Sequence, residues 1–231
     1  MFPFRLKPLA ITMALVALPA TAQAQITLWD ALSTSGQSYE RQEFFSDAAR
    51  VYRGALDAGM KVFGPEDPRM GETVVRLAST LRRSGQIGEA SKILDRHLAF
   101  IDNPDHHASP IFLSGLQELA LIQESREDYP AAVVAMSRAV EISSNIHGPT
   151  NLETAERLDE LGRLQEKAGH DADAKATWMK SDELKYTWNL THPDHLVDIP
   201  SRTGSGKPVS GRFQGPFAAV KAWFLRLWES V

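Results

Sequence analysis

Cysteine is absent from the 231 residues. That removes disulfides, thiolate nucleophiles and cysteine-based zinc sites from consideration. It also suits an oxidising compartment, where a stray thiol is a liability. No serine stands in a Gly-x-Ser-x-Gly setting, the strained turn that exposes a hydrolase nucleophile. Basic stretches such as Arg82-Arg83 are sparse, too sparse for a nucleic-acid footprint. Gly204-Ser205-Gly206-Lys207 lacks the rest of a phosphate-binding loop: Ser201 stands where a glycine is needed, and Pro208 follows the lysine where Ser or Thr would hold magnesium. Two histidine clusters, Asp105-His106-His107 and His192-Pro193-Asp194-His195, offer zinc-type donors but no third strong ligand at metal spacing. They read as turn chemistry. The residues therefore imply no catalytic group, metal or cofactor.

What is present is an ordinary globular composition, 43% hydrophobic and 23% charged with a formal net charge of −4, enough for one domain with a real core. The N-terminus departs from that average. Arg5 and Lys7 precede the apolar run Leu9–Leu18, Pro19 breaks it, and Ala22-Gln23-Ala24 supplies a small-x-small pattern. This is the anatomy of a secretory signal peptide, residues 1–24, with cleavage expected after Ala24. The run is too short for a retained span, which takes roughly 20 apolar residues. The expectation is export, to the periplasm of a Gram-negative bacterium.

A fixed period organises residues 25–197. Ala48, Ala90, Ala132 and Ala174 stand 42 residues apart. Four residues after each comes a large apolar side chain: Tyr52, Leu94, Met136 and Trp178. Twelve residues before each comes a small one, Gly36, Ala78, Ala120 and Gly162, preceded by Ser35, Leu77, Leu119 and Leu161. Gly64-Pro65 recurs as Gly148-Pro149. Apolar residues fall at helical spacing on two segments per unit, as in Leu158, Leu161 and Leu164, then Ala174, Trp178 and Leu184. Gly85 and Gly169 separate the segments. Two amphipathic helices joined by a short turn make a helical hairpin. The small residue lets the second helix approach and the large one fills the space beside it. A single hairpin cannot bury both faces, so neighbours must stack.

Small residue, short turn, alanine, bulky residue: Leu77-Ala78, Gly85, Ala90 and Leu94, and again Leu161-Gly162, Gly169, Ala174 and Trp178, resemble the tetratricopeptide-repeat signature. The 42-residue step and the proline loops Gly64-Pro65-Glu66-Asp67-Pro68, Asn103-Pro104-Asp105-His106 and His192-Pro193-Asp194-His195 are similar to the long-repeat subclass of kinesin light chains. The resemblance covers about residues 29–195. It implies an all-α, right-handed superhelical solenoid of about three and a half hairpins, working as a non-enzymatic scaffold. Glu127 stands where the turn glycine is expected, His97 where Ala55 and Ala139 are small, and the first unit is polar before Gly36. Where the subclass carries asparagines that hold peptide backbone, this chain has Val75 and Arg76, Gln117 and Glu118, Asp159 and Glu160.

In that family the first helix of each hairpin lines the concave face. The resemblance thus implies a groove that takes a protein or peptide. It would be formed by Glu72, Val75, Ser79, Arg82 and Arg83, then Gln117, Leu121 and Glu124, then Glu156, Asp159, Arg163, Glu166 and Lys167. Arg82, Arg83 and Arg163 are the expected grips on a partner's carboxylates, because guanidinium binds them bidentately. The alternative is that these charges solvate a face or pair with one another.

Residues 198–212 are rich in glycine, proline and serine and read as a linker. Beyond it, Phe213, Phe217, Val220, Phe224, Leu227 and Trp228 recur at three- and four-residue steps, an amphipathic terminal helix over 213–231. Residues 199–231 carry a net +4, against −10 for residues 25–198. Such a helix either caps the last repeat, docking on its acidic surface, or lies in an anionic membrane interface.

Overall fold

The computed structural model describes residues 20–101, 109–148, 150–202 and 208–209. Among the described residues are eight helices in four antiparallel pairs. They are α1 (Ala20–Arg41), α2 (Phe45–Met60), α3 (Pro68–Arg83), α4 (Ile87–Ile101), α5 (Pro110–Ser125), α6 (Tyr129–His147), α7 (Leu152–Lys167) and α8 (Asp171–Thr191). Each helix packs on the next in sequence, and α3 also lies directly beside α5. All-α architecture and pairwise stacking agree with the sequence reading. The pairs number four rather than about three and a half. The first helix looked polar before Gly36 because few of its residues there face inward: Leu32 packs on Gly54, and Trp29 lies against Gly59. Trp29 also meets Phe63 edge-on at 5.2 Å and donates to Thr73 Oγ1 at 3.2 Å.

The ends of the helices follow the period. Asp67, Ser109 and Asn151, 42 residues apart, are extended N-caps of α3, α5 and α7, and each side chain accepts a hydrogen bond from the backbone N–H two residues on. That satisfies a donor the helix cannot use itself. Pro68 and Pro110 occupy first-turn positions, where their fixed φ and missing N–H cost nothing. At the other end, Glu43, Gly85, Glu127 and Gly169, again 42 apart, all adopt the left-handed conformation, at φ 62°, 83°, 60° and 81°. This reverses the chain between the two helices of every hairpin.

The periodic pairs form the core. Ala48, Ala90, Ala132 and Ala174 are fully buried, and Tyr52, Leu94, Met136 and Trp178 are nearly so. A Cβ added at Gly36 would lie 2.6 Å from the Tyr52 ring, and one at Gly162 2.5 Å from the Trp178 indole. Glycine therefore accompanies the aromatic rings, and alanine accompanies Leu94 and Met136.

Past α8 the chain folds back. The Asn189 side chain donates to Val197 O and accepts from Val197 N, both at 2.8 Å, and Ile199 is buried. Within the stretch read as a linker, β1 (Ser201–Arg202) and β2 (Pro208–Val209) pair antiparallel, Ser201 opposite Val209 and Arg202 opposite Pro208. Residues 1–19 of the expected signal peptide, and the terminal segment with Phe213, Phe217, Val220, Phe224, Leu227 and Trp228, lie outside the described residues. α1 runs through the expected cleavage point. Among the described residues no helix is long and apolar enough to cross a membrane.

Candidate functional site

The first helices α1, α3, α5 and α7 stand in a row, and a set of ion pairs joins each to the next. Glu40 of α1 accepts from the Tyr52 hydroxyl at 2.9 Å and lies 3.4 Å from Arg76 of α3. Burial, with the Glu40 charge beside it, pushes the Tyr52 phenol far above its usual range. Arg82 of α3 donates to Glu118 of α5 at 2.6 Å. Glu124 of α5 receives Arg163 of α7 at 2.6 Å through its second oxygen and Lys167 at 2.6 Å through its first. Arg163 also binds Glu160, so its guanidinium is shared between two carboxylates.

These joints differ electrostatically. Glu118 is buried, and that burial outweighs Arg82 and Ser79 to lift its carboxyl above the usual range. Glu124 hydrogen-bonds Arg163 and Lys167, which hold its carboxyl down to about 2. At the dry site hydrogen-bonded Arg82, with the Arg83 charge nearby, does not offset desolvation, whereas two hydrogen-bonded cations at the wetter site do.

The residues expected to grip a partner thus have partners within the chain. Arg82 and Arg163 hold carboxylates of neighbouring hairpins, and Lys167 does the same. Glu72 lies 3.0 Å from Arg76. Asp159 bonds Lys185 of α8 through its carboxylate, and its backbone carbonyl accepts from Trp178 Nε1 at 3.2 Å. Gln117 accepts from Arg157 at 3.5 Å. Arg83 is exposed and lies over the Phe45 ring at 3.8 Å. Ser79 faces Glu118. Val75 packs on the core at its edge, Leu121 and Glu166 are half-buried, and Glu156 is exposed.

The sequence reading missed Glu40 and Glu118 as structural carboxylates. A signal was present: Glu40–Arg76, Arg82–Glu118 and Arg53–Glu89 are each 36 residues apart, one repeat less six residues. Of the histidines, His192 stacks on Trp188 at 3.7 Å and 9°, which closes the turn after α8. Among the described residues no three histidine or carboxylate side chains are grouped as metal ligands.

Comparison with known proteins places this geometry. The family profile for the tetratrico peptide repeat matches residues 30–143. The chain is 26% identical over 140 residues to Protein KINESIN LIGHT CHAIN-RELATED 3 of Arabidopsis thaliana, covering 60% of this chain and 21% of that protein. It therefore spans about a fifth of that relative's length. Among solved structures it is similar to BtubC (BKLC) from P. vanneervenii, with a TM-score of 0.65 at 20% identity, covering 81% of this chain and 72% of that one. It is similar also to a putative kinesin light chain with nearly identical TPR-like repeats from Podosopora anserina, with a TM-score of 0.63 at 16% identity, covering 74% and 78%.

Proposed function

This chain belongs to the tetratricopeptide-repeat family, whose members are generally protein-interaction scaffolds and typically non-enzymatic, and on that footing we propose that it is an adaptor of the bacterial cell envelope, acting in the periplasm. It holds a peptide or helix of a partner protein along the row α1, α3, α5 and α7. The observation that carries this reading is the row itself. Four first helices are linked in a row by inter-hairpin ion pairs, and between those joints lie Val75, Ser79, Gln117 and Leu121, side chains suited to contact rather than chemistry. A prearranged face binds without ordering costs of its own. Export rests on Arg5, Lys7, Leu9–Leu18 and Ala22-Gln23-Ala24.

The test is in-cell crosslinking of the tagged protein with mass spectrometry, beside a Leu121→Asp variant shown to keep its melting temperature. A partner captured by the parent and lost in the variant supports the adaptor. The same captured set in both overturns it. Reversing Arg82 would not isolate binding, since Arg82→Glu sets a carboxylate against buried Glu118. A second reading rests on the aromatic, basic sequence of 213–231: attachment to a membrane surface. Equal flotation with anionic liposomes, with and without those residues, removes it.

A further inference from the structure

Two rows of exposed residues cross the first helices at the 42-residue step. Asp30, Glu72, Ser114 and Glu156 form one, and Arg41, Arg83, Ser125 and Lys167 the other, and all eight are exposed. On each helix the two positions are 11 residues apart, close to three full turns, so they share a face about 16 Å apart. One row is acidic and the other basic, and the third hairpin carries serine in both. The basic row ends its helices, where positive charge suits the helix dipole. The acidic row has no such explanation in α1, where Asp30 lies eleven residues into the helix. The internal joints leave these rows largely available. Glu72 keeps Arg76 at 3.0 Å but stays 58% exposed, and Lys167, bonded to Glu124, stays 42% exposed. Between the rows lie Val75, Ser79, Gln117 and Leu121.

From this arrangement we propose, resting on the adaptor reading, that the face takes a partner helix of two-edged charge: basic along one edge, acidic along the other, small or apolar between. A helix with its side chains is about 10–12 Å wide, so it fits between rows about 16 Å apart with charges meeting on both sides. A uniformly basic segment satisfies one row and is repelled by the other, and a uniformly acidic one fails in the same way. The chain's own 213–231 offers Lys221 and Arg226 against the single acid Glu229, enough for one edge only. Opposite-charge rows select register and partner more than they add raw affinity.

The probe is a synthetic helical peptide of about 18 residues, about 27 Å long, with Lys along one edge, Glu along the other and Leu and Ala between. A control peptide carries Lys on both edges. Binding to the full chain is read by fluorescence anisotropy. The two-edged peptide binds at least about tenfold more tightly than the control. Inverting one row, by Glu72→Lys with Glu156→Lys or by Arg41→Glu with Arg83→Glu, weakens it about tenfold. Inverting both restores binding, because the peptide can turn end for end. Restoration excludes simple loss of fold. A fourfold variant as weak as the single-row variants, with an unchanged melting temperature, overturns the proposal, as does equal binding of both peptides. In cells, a partner lost with Leu121→Asp but kept by both single-row variants overturns the two-row reading and leaves the adaptor standing. A partner kept in all of them overturns both.

Discussion

The third and fourth hairpins share one frame and fill it differently. In α5/α6 the small–large pair is Ala120 with Met136, and in α7/α8 it is Gly162 with Trp178. The turn residue is Glu127 in the third and Gly169 in the fourth. The outward faces differ most. Val133, Val140 and Ile146 of α6 pack on core that includes Leu158, Leu161 and Leu164 of α7, and Ser143 bonds Thr154 at 2.9 Å. One repeat on, the same positions are Lys175, Asp182, Trp188 and Lys185. Lys185 turns back to Asp159, and Trp188 is covered by His192. A stack continues where its outer face is apolar and ends where charges stand on it. The frame sets the geometry, and a few side chains decide what each outer face offers to a neighbour.

The sharpest way to break the comparison is to exchange the core pairs. Gly162→Ala would put a methyl 2.5 Å from Trp178 Nε1, and that indole is held by its bond to the Asp159 carbonyl. A loss of about 2–3 kcal/mol is expected in denaturant melts, overpacking exceeding the helix-propensity gain of alanine. Adding Trp178→Met, which copies the third hairpin, should recover part of that loss, the signature of coupled neighbours. Ala120→Gly, the reverse exchange in the third hairpin, should cost only about 1 kcal/mol. Equal losses at the two sites would mean that the indole does not set the spacing.

The joints on either side of α5 sharpen the contrast through pH. The Glu124 carboxyl is held down to about 2, below its unfolded value. Its stabilisation is therefore present above the ordinary glutamate range and lost as pH falls toward 2. The Glu118 carboxyl is raised by burial. Its contribution is the reverse, fully present in acid and lost as pH rises through the folded value. Glu124→Gln should cost about 1–2 kcal/mol at pH 7 after solvent screening, and the gap from the parent should close in acid. Glu118→Gln should match the parent best in acid and gain on it as pH rises. Melting temperatures from pH 3 to 8 test both, and parallel curves for the two variants would contradict the opposite shifts.

Much of this frame was legible before any coordinates. The small–large–alanine period located all four hairpins' cores, because core volume is conserved from unit to unit. The ion-pair row was less legible. Pairing at 36 residues depends on how neighbouring helices slide past each other, which a 42-residue alignment conceals. Arg82 and Arg163 were read either as grips on a partner or as charges paired within the chain, because a sequence shows a guanidinium and not what faces it. Glu118 was passed over because its burial comes from α3 lying directly beside α5, a tertiary fact.

The smallest expected effect concerns the turn, and it is the cleanest test of how strictly the frame rules. Four positions at one step are left-handed, two glycines and two glutamates. A side chain in that region costs about 1–2 kcal/mol from the crowding of Cβ against the following carbonyl, and glycine has no Cβ. Glu127 accepts this conformation because the turn closes around it: its N–H donates to Glu124 O at 2.8 Å, and Asp128 N–H reaches Gln123 O at 2.9 Å. The fourth hairpin makes the same two bonds through Gly169 and His170, at 2.9 and 2.8 Å. With the hydrogen bonding matched, only the backbone preference differs. Glu127→Gly should therefore stabilise by somewhat less than about 1 kcal/mol, since glycine's extra freedom when unfolded offsets part of the relief, and Gly169→Ala should destabilise by about 1 kcal/mol. Shifts in denaturant midpoint of opposite sign and similar size, at unchanged m-value, would show one turn filled two ways. A loss at Glu127 would instead show that its side chain, and not the backbone, holds that turn.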